Sequence, residues 1–234
     1  MKYTTIFFDA DNTLFDYDMA EGFALEQTFR RSGIPITTET RELYRRINAE
    51  AWKEFESGAI TIGTLRTLRF RRLFERLGMD MDPIGVSTFY LERLGEGACL
   101  VKDALEVLKE AASVCTCCIV TNGIADVQRS RLSRSPLLPY VRGLIISEEV
   151  GSQKPEPGMF DAAMELCGGP DKGDVLMVGD SLSSDILGGI RYGIDTCWFN
   201  PRGEAPSDGI TPTMEIGALS GLLPVIGVPR TAGQ

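Results

Sequence analysis

The stretch from Tyr3 to Leu14 constrains this chain more than any other. Tyr3 to Phe8 carries no charge and is built of aromatic, β-branched and threonine residues, the make-up of a fully buried strand. It runs straight into Asp9 and Asp11. A buried strand has no packing use for two acids at its end, and each ionised carboxylate costs several kcal/mol to desolvate unless a cation or hydrogen bonds compensate. In open α/β sheets the ligand crevice lies beyond the carboxyl ends of the strands. The two aspartates are therefore candidates for chemistry. The plainer alternative is a solvated turn, which Asp and Asn also favour.

Beyond this strand the chain is helical for a long way. Met19 to Ser32 carries Phe23, Leu25 and Phe29 and stops at Gly33-Ile34-Pro35. Thr38 to Ser57 repeats Leu43, Ile47, Ala51 and Phe55 every fourth residue. Thr61 is placed to cap a third helix that Gly78 ends, and Asp82-Pro83 to open a fourth through Leu94. No strand-like alternation interrupts this region. From Cys99 onward the pattern alternates: helix Val101–Ala112, strand Cys115–Val120, helix Ile124–Leu132, strand Leu144–Ile146, helix Met159–Cys167, strand Val175–Val178, helix Ser184–Arg191 and strand Thr196–Phe199. An edge strand over Thr213–Ile216 and a short helix to Leu223 close the pattern, and the final residues look untethered. Such alternation predicts an α/β fold, a Rossmann-like parallel sheet flanked by helices. The expected division is a core of residues 1–15 and 97–234 with an inserted all-helical unit of residues 16–96.

The 234 residues suit one such domain with an insertion, and at 43% hydrophobic they can bury a sizeable core. There is no histidine, which removes every Ser-His-Asp and Cys-His mechanism and every His-ligated metal site. Any general acid or base must then be Asp, Glu, Lys, Tyr or Cys. The net charge of −9 argues against a nucleic-acid polymer or an anionic membrane as partner. A small anionic substrate stays open, because a bound metal or local positive site can hold it. Of the six cysteines, Cys115 and Cys118 form a C-x-x-C, but three residues apart on a strand they face opposite sides and read as core thiols. Met1-Lys2-Tyr3 enters the first strand directly, leaving no room for a signal peptide, and no apolar run reaches membrane-span length. The expected compartment is soluble, reducing and cytoplasmic.

Four predicted strand ends carry polar residues that packing does not need: Asp9 and Asp11, then Thr121 and Asn122, then Lys154, then Asp180 with Asp185. In a parallel sheet these ends share one edge. Each group has an ordinary reading by itself, Thr121-Asn122-Gly123 and Lys154-Pro155 as surface turns and Asp185 as an acid near a helix start. Together they gather four carboxylates, which repel one another unless a hard divalent cation relieves the conflict. Oxygen-only ligands suit Mg²⁺. Metal, ammonium and hydroxyl donors suit a transferring phosphoryl group, with a carboxylate available as nucleophile.

Asp9-Ala10-Asp11-Asn12-Thr13, Thr121, Lys154-Pro155 and Gly179-Asp180 with Asp185 resemble, in order and spacing, the four motifs of the haloacid dehalogenase (HAD) superfamily. The resemblance covers essentially the whole chain, with the helical insertion where members with a helical cap of the first type carry theirs. Asn12-Thr13-Leu14-Phe15, Ile146-Ser147-Glu148-Glu149-Val150-Gly151, Asp185-Ile186-Leu187-Gly188-Gly189-Ile190 and Thr196-Cys197-Trp198-Phe199-Asn200 are similar to the bacterial pyrimidine 5′-nucleotidase branch. The resemblance implies that Asp9 attacks phosphorus and that Asp11 protonates the leaving alcohol, then activates water. It implies that Mg²⁺ is bound by Asp9, the Asp11 backbone carbonyl and Asp180, with Asp185 supporting the metal shell. It also implies that Thr121, the Asn122 backbone and Lys154 hold the phosphoryl oxygens.

Asp11, two residues after the nucleophile, marks phosphoryl-transfer members rather than dehalogenases. The implied substrate is a small phosphorylated metabolite, a nucleoside monophosphate. A phosphosugar or phosphoglycolate phosphatase, a sugar phosphomutase, a signalling receiver and a binding protein on the same scaffold are the competing readings. The sequence leaves the oligomeric state open. Choice of leaving group is assigned to the insertion, with Phe23, Tyr44, Trp52 and Phe55 and an arginine-rich third helix as candidates. Arg69, Arg72 and Arg76 share a face there, and otherwise read as a solvated face paired with acids such as Glu75.

Overall fold

The computed structural model describes residues 2–206 and 209–228, so the expectation of an untethered C-terminus falls on residues outside it. The chain divides into two compact units, Met1–Tyr17 with Ala98–Gln234, and Asp18–Gly97.

The first unit is built on a six-stranded sheet of β1 (Thr5–Phe8), β2 (Thr116–Thr121), β3 (Leu144–Ile146), β4 (Val175–Gly179), β5 (Asp195–Phe199) and β6 (Met214–Ile216). Its spatial order is β3-β2-β1-β4-β5-β6, and every pairing is parallel. β1 is central, and its four residues are all buried. Alternate side chains feed two cores: Ile6 and Phe8 pack with Val107, Leu108, Ile119 and Val178, while Phe7 packs on the other face with Val120, Met159, Phe160 and Met177. The C-x-x-C divides the same way, Cys115 and Cys117 to one core and Cys118 to the other. Burial pushes the Cys117 and Cys197 thiols up, as expected of inert core cysteines. The chain leaves β1 for β2 on one side and reaches β4 on the other, so the strand order reverses at β1/β4, the place where open α/β sheets bind ligands beyond the carboxyl ends.

The second unit is helical: α1 (Tyr17–Ser32), α2 (Thr38–Glu56), α3 (Ile62–Leu77) and α4 (Pro83–Glu96). Thr61, Gly78 and Asp82 cap α3 and α4 as the sequence predicts. Thr61 Oγ1 accepts from the Thr64 N–H at 3.2 Å, Gly78 ends α3 in the left-handed region at φ 64°, and Asp82 accepts from the N–H groups of Ile84 and Gly85 at 2.9 and 2.8 Å. Tyr44, Phe70 and Tyr90 form its aromatic centre, with ring centroids 5.3–5.6 Å apart.

Two expectations for this unit change. Phe23 is not a core residue: it is 49% exposed, while Leu25 and Phe29 are buried. The arginine face of α3 is not uniformly solvated either. Arg72 forms a forked pair with Glu54 at 2.8 and 3.0 Å, but Arg69 is buried, donates to Asn48 Oδ1 at 3.0 Å and lies 5.0 Å over the Tyr90 ring. Face-sharing by spacing does not decide burial, because α3 is packed on both flanks by α2 and α4.

In the first unit, the helix expected from Val101 starts only at Ala104, as α5 (Ala104–Ala112), because Asp103 takes a left-handed φ of 67°. Among the described residues no helix is long and apolar enough to cross a membrane.

Asp82→Ala removes two acceptors from the start of α4 and is expected to lower stability by about 1 kcal/mol, read as a lower urea midpoint for the helical unit. An unchanged midpoint would show that the cap contributes nothing there.

Candidate active site

Beyond the carboxyl ends of the strands, the chemistry-bearing residues converge as the parallel sheet requires. Asp9 follows β1, Thr121 ends β2, and Asp180 follows β4. Lys154 lies between α7 (Ser147–Val150) and α8 (Pro157–Leu166). Asp185 sits in a π-helical turn, Leu182–Ile186, that leads into α9 (Leu187–Tyr192) and is capped by Ser181 Oγ on the Ser184 N–H at 3.3 Å.

Lys154 is the hub. Far from being a surface turn residue, it is 1% exposed, and its Nζ donates to Asp9 Oδ1 at 2.6 Å, Asp185 Oδ1 at 2.6 Å and the Val120 carbonyl at 2.7 Å. All three ammonium protons are thus used. Burial opposes the charge, but Asp185 and Asp9 outweigh it and hold the ammonium above the ordinary lysine value. Asp185 also accepts from the Ser181 N–H at 3.0 Å through its other oxygen. Gly179 makes this approach possible, since a Cβ there would stand 2.2 Å from Asp185 Oδ2.

Asp9, Asp180 and Asp185 each offer an oxygen, and these lie within 4.8 Å of one another. Burial, with added repulsion from Asp185, pushes Asp180 up to about 7. Burial also pushes Asp9 well above the carboxylate range, against the pull of Lys154. Ionised together, three carboxylates facing one ammonium would carry two negative charges in excess, which a divalent cation would cancel. A site of buried oxygens without histidine or thiolate fits Mg²⁺.

Neighbouring loops brace the group. The Asn122 side chain spans to Lys154, its Nδ2 donating to the Lys154 carbonyl at 2.9 Å and its Oδ1 accepting from the Lys154 N–H at 2.8 Å. Thr121 Oγ1 accepts from the Gly123 N–H at 3.0 Å. The Trp198 indole donates to the Asp180 carbonyl at 2.9 Å, and buried Thr13 reaches Asp180 Oδ1 at 3.5 Å.

The Asp11 carboxylate stands apart from the three clustered acids. It is taken up by α6 (Ala125–Arg134), accepting from Gln128 Nε2 at 2.6 Å and pairing with Arg131 Nη1. Gln128, Arg131 and the Asn122 side-chain bridge are absent from the sequence-based expectation. The signal available was a Gln and an Arg three apart on a helix that starts at a candidate strand end.

The chain is similar to known proteins over nearly its whole length. A model of the haloacid dehalogenase-like hydrolases matches residues 3–193. The chain is 38% identical to the pyrimidine 5′-nucleotidase YjjG of Escherichia coli over 94% of its length and 96% of the relative's. It is 34% identical to the pyrimidine 5′-nucleotidase PynA of Streptococcus pneumoniae, covering 95% and 94%. The magnesium-bound crystal structure of the HAD-hydrolase YfnB of Bacillus subtilis superimposes with a TM-score of 0.92 at 33% identity, covering 97% of this chain and 100% of that one.

Because the Asp180 carboxyl is held high, its burial favours the metal-free fold at low pH and costs stability as pH rises from about 4 through about 7. In EDTA, the thermal midpoint of the wild type should fall relative to Asp180→Asn across this window, and Mg²⁺ should recover it for the wild type. A difference between the two proteins that does not change with pH would contradict the assignment.

Proposed function

Because the chain belongs to the haloacid dehalogenase-like hydrolases, we propose that it is a magnesium-dependent phosphomonoesterase that works through an aspartyl-phosphate and takes pyrimidine nucleoside 5′-monophosphates. The observation that carries the phosphatase reading is the set of buried Asp9 and Asp185 and partly buried Asp180 beside Lys154, with a further acid, Asp11, held separately by α6 side chains. The nucleotidase reading is supported by the two relatives of that activity, each aligned over nearly the whole chain.

Asp9 is the nucleophile. Lys154 orients it through one oxygen. The other is free to form a bond to phosphorus as the bond from phosphorus to the leaving oxygen breaks. Asp11 gives its proton to that leaving oxygen, releasing the nucleoside. A water then attacks the phosphorus of the aspartyl-phosphate, Asp11 takes the proton, and Asp9 is regenerated as phosphate leaves. Thr121 and the Asn122 backbone hold the phosphoryl oxygens, Lys154 joins them by exchanging one of its three present acceptors for a phosphoryl oxygen, and the Asn122 side chain fixes the distance between the two loops that supply these groups. Asp9, the Asp11 carbonyl and Asp180, supported by Asp185, would hold Mg²⁺, which would supply positive charge to offset the phosphoryl oxygens. The six cysteines, all free thiols, support a cytoplasmic setting.

Asp9→Asn is expected to abolish turnover, and Asp11→Asn to slow both half-reactions by roughly 10²–10⁴-fold, measured by rapid-quench trapping of the phosphoenzyme. Activity should vanish in EDTA and return with Mg²⁺ but not Ca²⁺. Near-wild-type turnover in Asp11→Asn would place the proton on another group.

The substrate is tested by kcat/KM for dUMP, dTMP, UMP, AMP, glucose 1-phosphate and phosphoglycolate. The pyrimidine nucleotides should lead by about tenfold, a preference of about 1.4 kcal/mol. A phosphosugar or phosphoglycolate leading by that margin overturns the nucleotidase part and leaves the phosphatase part standing.

A further inference from the structure

Asp11 is given its proton-transfer role by type and position, yet nothing in that role explains how its side chain is aimed. The helix α6 answers this. Arg131 is fully buried, lies 4.6 Å over the Phe15 ring and pairs with Asp11 Oδ1. Gln128, 2% exposed, donates to Asp11 Oδ2 at 2.6 Å. Each carboxylate oxygen is therefore held by a different side chain, three residues apart on one face of α6.

Two further observations separate this from ordinary core satisfaction. The Gln128 Oε1 is buried and has no hydrogen-bond partner among the described residues, so the amide is not placed there to satisfy both of its ends. Its orientation is set by Asp11, since a flipped amide would point oxygen at carboxylate. Moreover, Gln128 passes over Gly123, where a Cβ would stand 2.2 Å from its Nε2. The glycine after Thr121 and Asn122 thus clears the path from α6 to Asp11.

We propose that Gln128 and Arg131 are positioning residues for Asp11: each takes one lone pair of one oxygen and so aims the carboxyl group, the proton passed to the leaving oxygen sits on a remaining lone pair, and Gly123 keeps the approach open. This rests on the phosphatase reading, and within it on Asp11 as the general acid. Neither residue touches the phosphoryl group in this assignment. They act only through Asp11.

The test compares two phosphates of similar size, p-nitrophenyl phosphate, whose leaving group needs no proton, and benzyl phosphate, whose leaving group does. The readout is kcat/KM, which covers only the steps up to leaving-group release. Gln128→Leu should lower kcat/KM for benzyl phosphate by about tenfold or more and for p-nitrophenyl phosphate by less than about threefold. Gly123→Ala, which displaces the flexible end of Gln128, should reproduce the same split. Arg131→Lys, which keeps the charge and loses the guanidinium plane over Phe15, should show it more weakly. If Gln128→Leu fails to fold, as judged by circular dichroism, Gly123→Ala carries the comparison. Asp11→Asn is the reference. Equal losses on both substrates in Asp11→Asn remove the general-acid role, and this inference with it. A split in Asp11→Asn with equal losses, or none, in Gln128→Leu and Gly123→Ala overturns the positioning inference alone.

Discussion

The site depends on one buried ammonium. Lys154 Nζ spends its three protons on Asp9, Asp185 and the Val120 carbonyl, and so ties the ends of β1 and β2 to the turn after β4. Removing one partner of such a buried set leaves an uncompensated charge, at a cost of about 3–5 kcal/mol. The same ammonium is insufficient for its surroundings, because Asp180 adds a third carboxylate. Ionising all three would place excess negative charge among largely buried groups, an arrangement that a divalent cation would relieve.

Around this centre, precision comes from backbone and small residues. Gly179 allows Asp185 to approach the strand end, Gly123 allows Gln128 to cross to Asp11, and the Asn122 amide joins two loops by two hydrogen bonds. None of these contacts contributes much to stability individually, since a net hydrogen bond is worth about 1 kcal/mol. Their effect is to hold carboxylates that would repel one another in one arrangement, which is the pre-organisation that phosphoryl transfer uses. The two acids of the first motif are thereby given different environments. Asp9 is packed against Lys154, and Asp11 is half-open between Gln128 and Arg131.

The helical unit has its own logic. Its centre is aromatic, and it takes Arg69 into that centre over Tyr90 with Asn48 as partner. Tyr44, one of the aromatics that the sequence offers for substrate contact, is consumed by this packing and is fully buried. Phe23 is the reverse case, an apolar residue in a helical repeat that remains half exposed.

The sequence by itself determined the class of fold, the four helices of the insertion with the caps at Thr61, Gly78 and Asp82, and which residue types carry chemistry. These are local matters: hydrophobic period, a Thr or Asp before a helix, a Gly after it, and acids where a buried strand ends. It also placed Asp9, Lys154, Asp180 and Asp185 at strand ends or in the segments that follow them, since a parallel sheet puts these on one edge. Only the tertiary structure decided which of them touch. Lys154 reads as a surface turn until the sheet brings Asp9 and Asp185 within 2.6 Å of it. Asp11 reads as a fourth member of the acidic cluster until α6 delivers Gln128 and Arg131 to its carboxylate. Pairings between residues more than a hundred positions apart leave no periodicity in the chain, and a helix face becomes buried or solvated according to what packs against it.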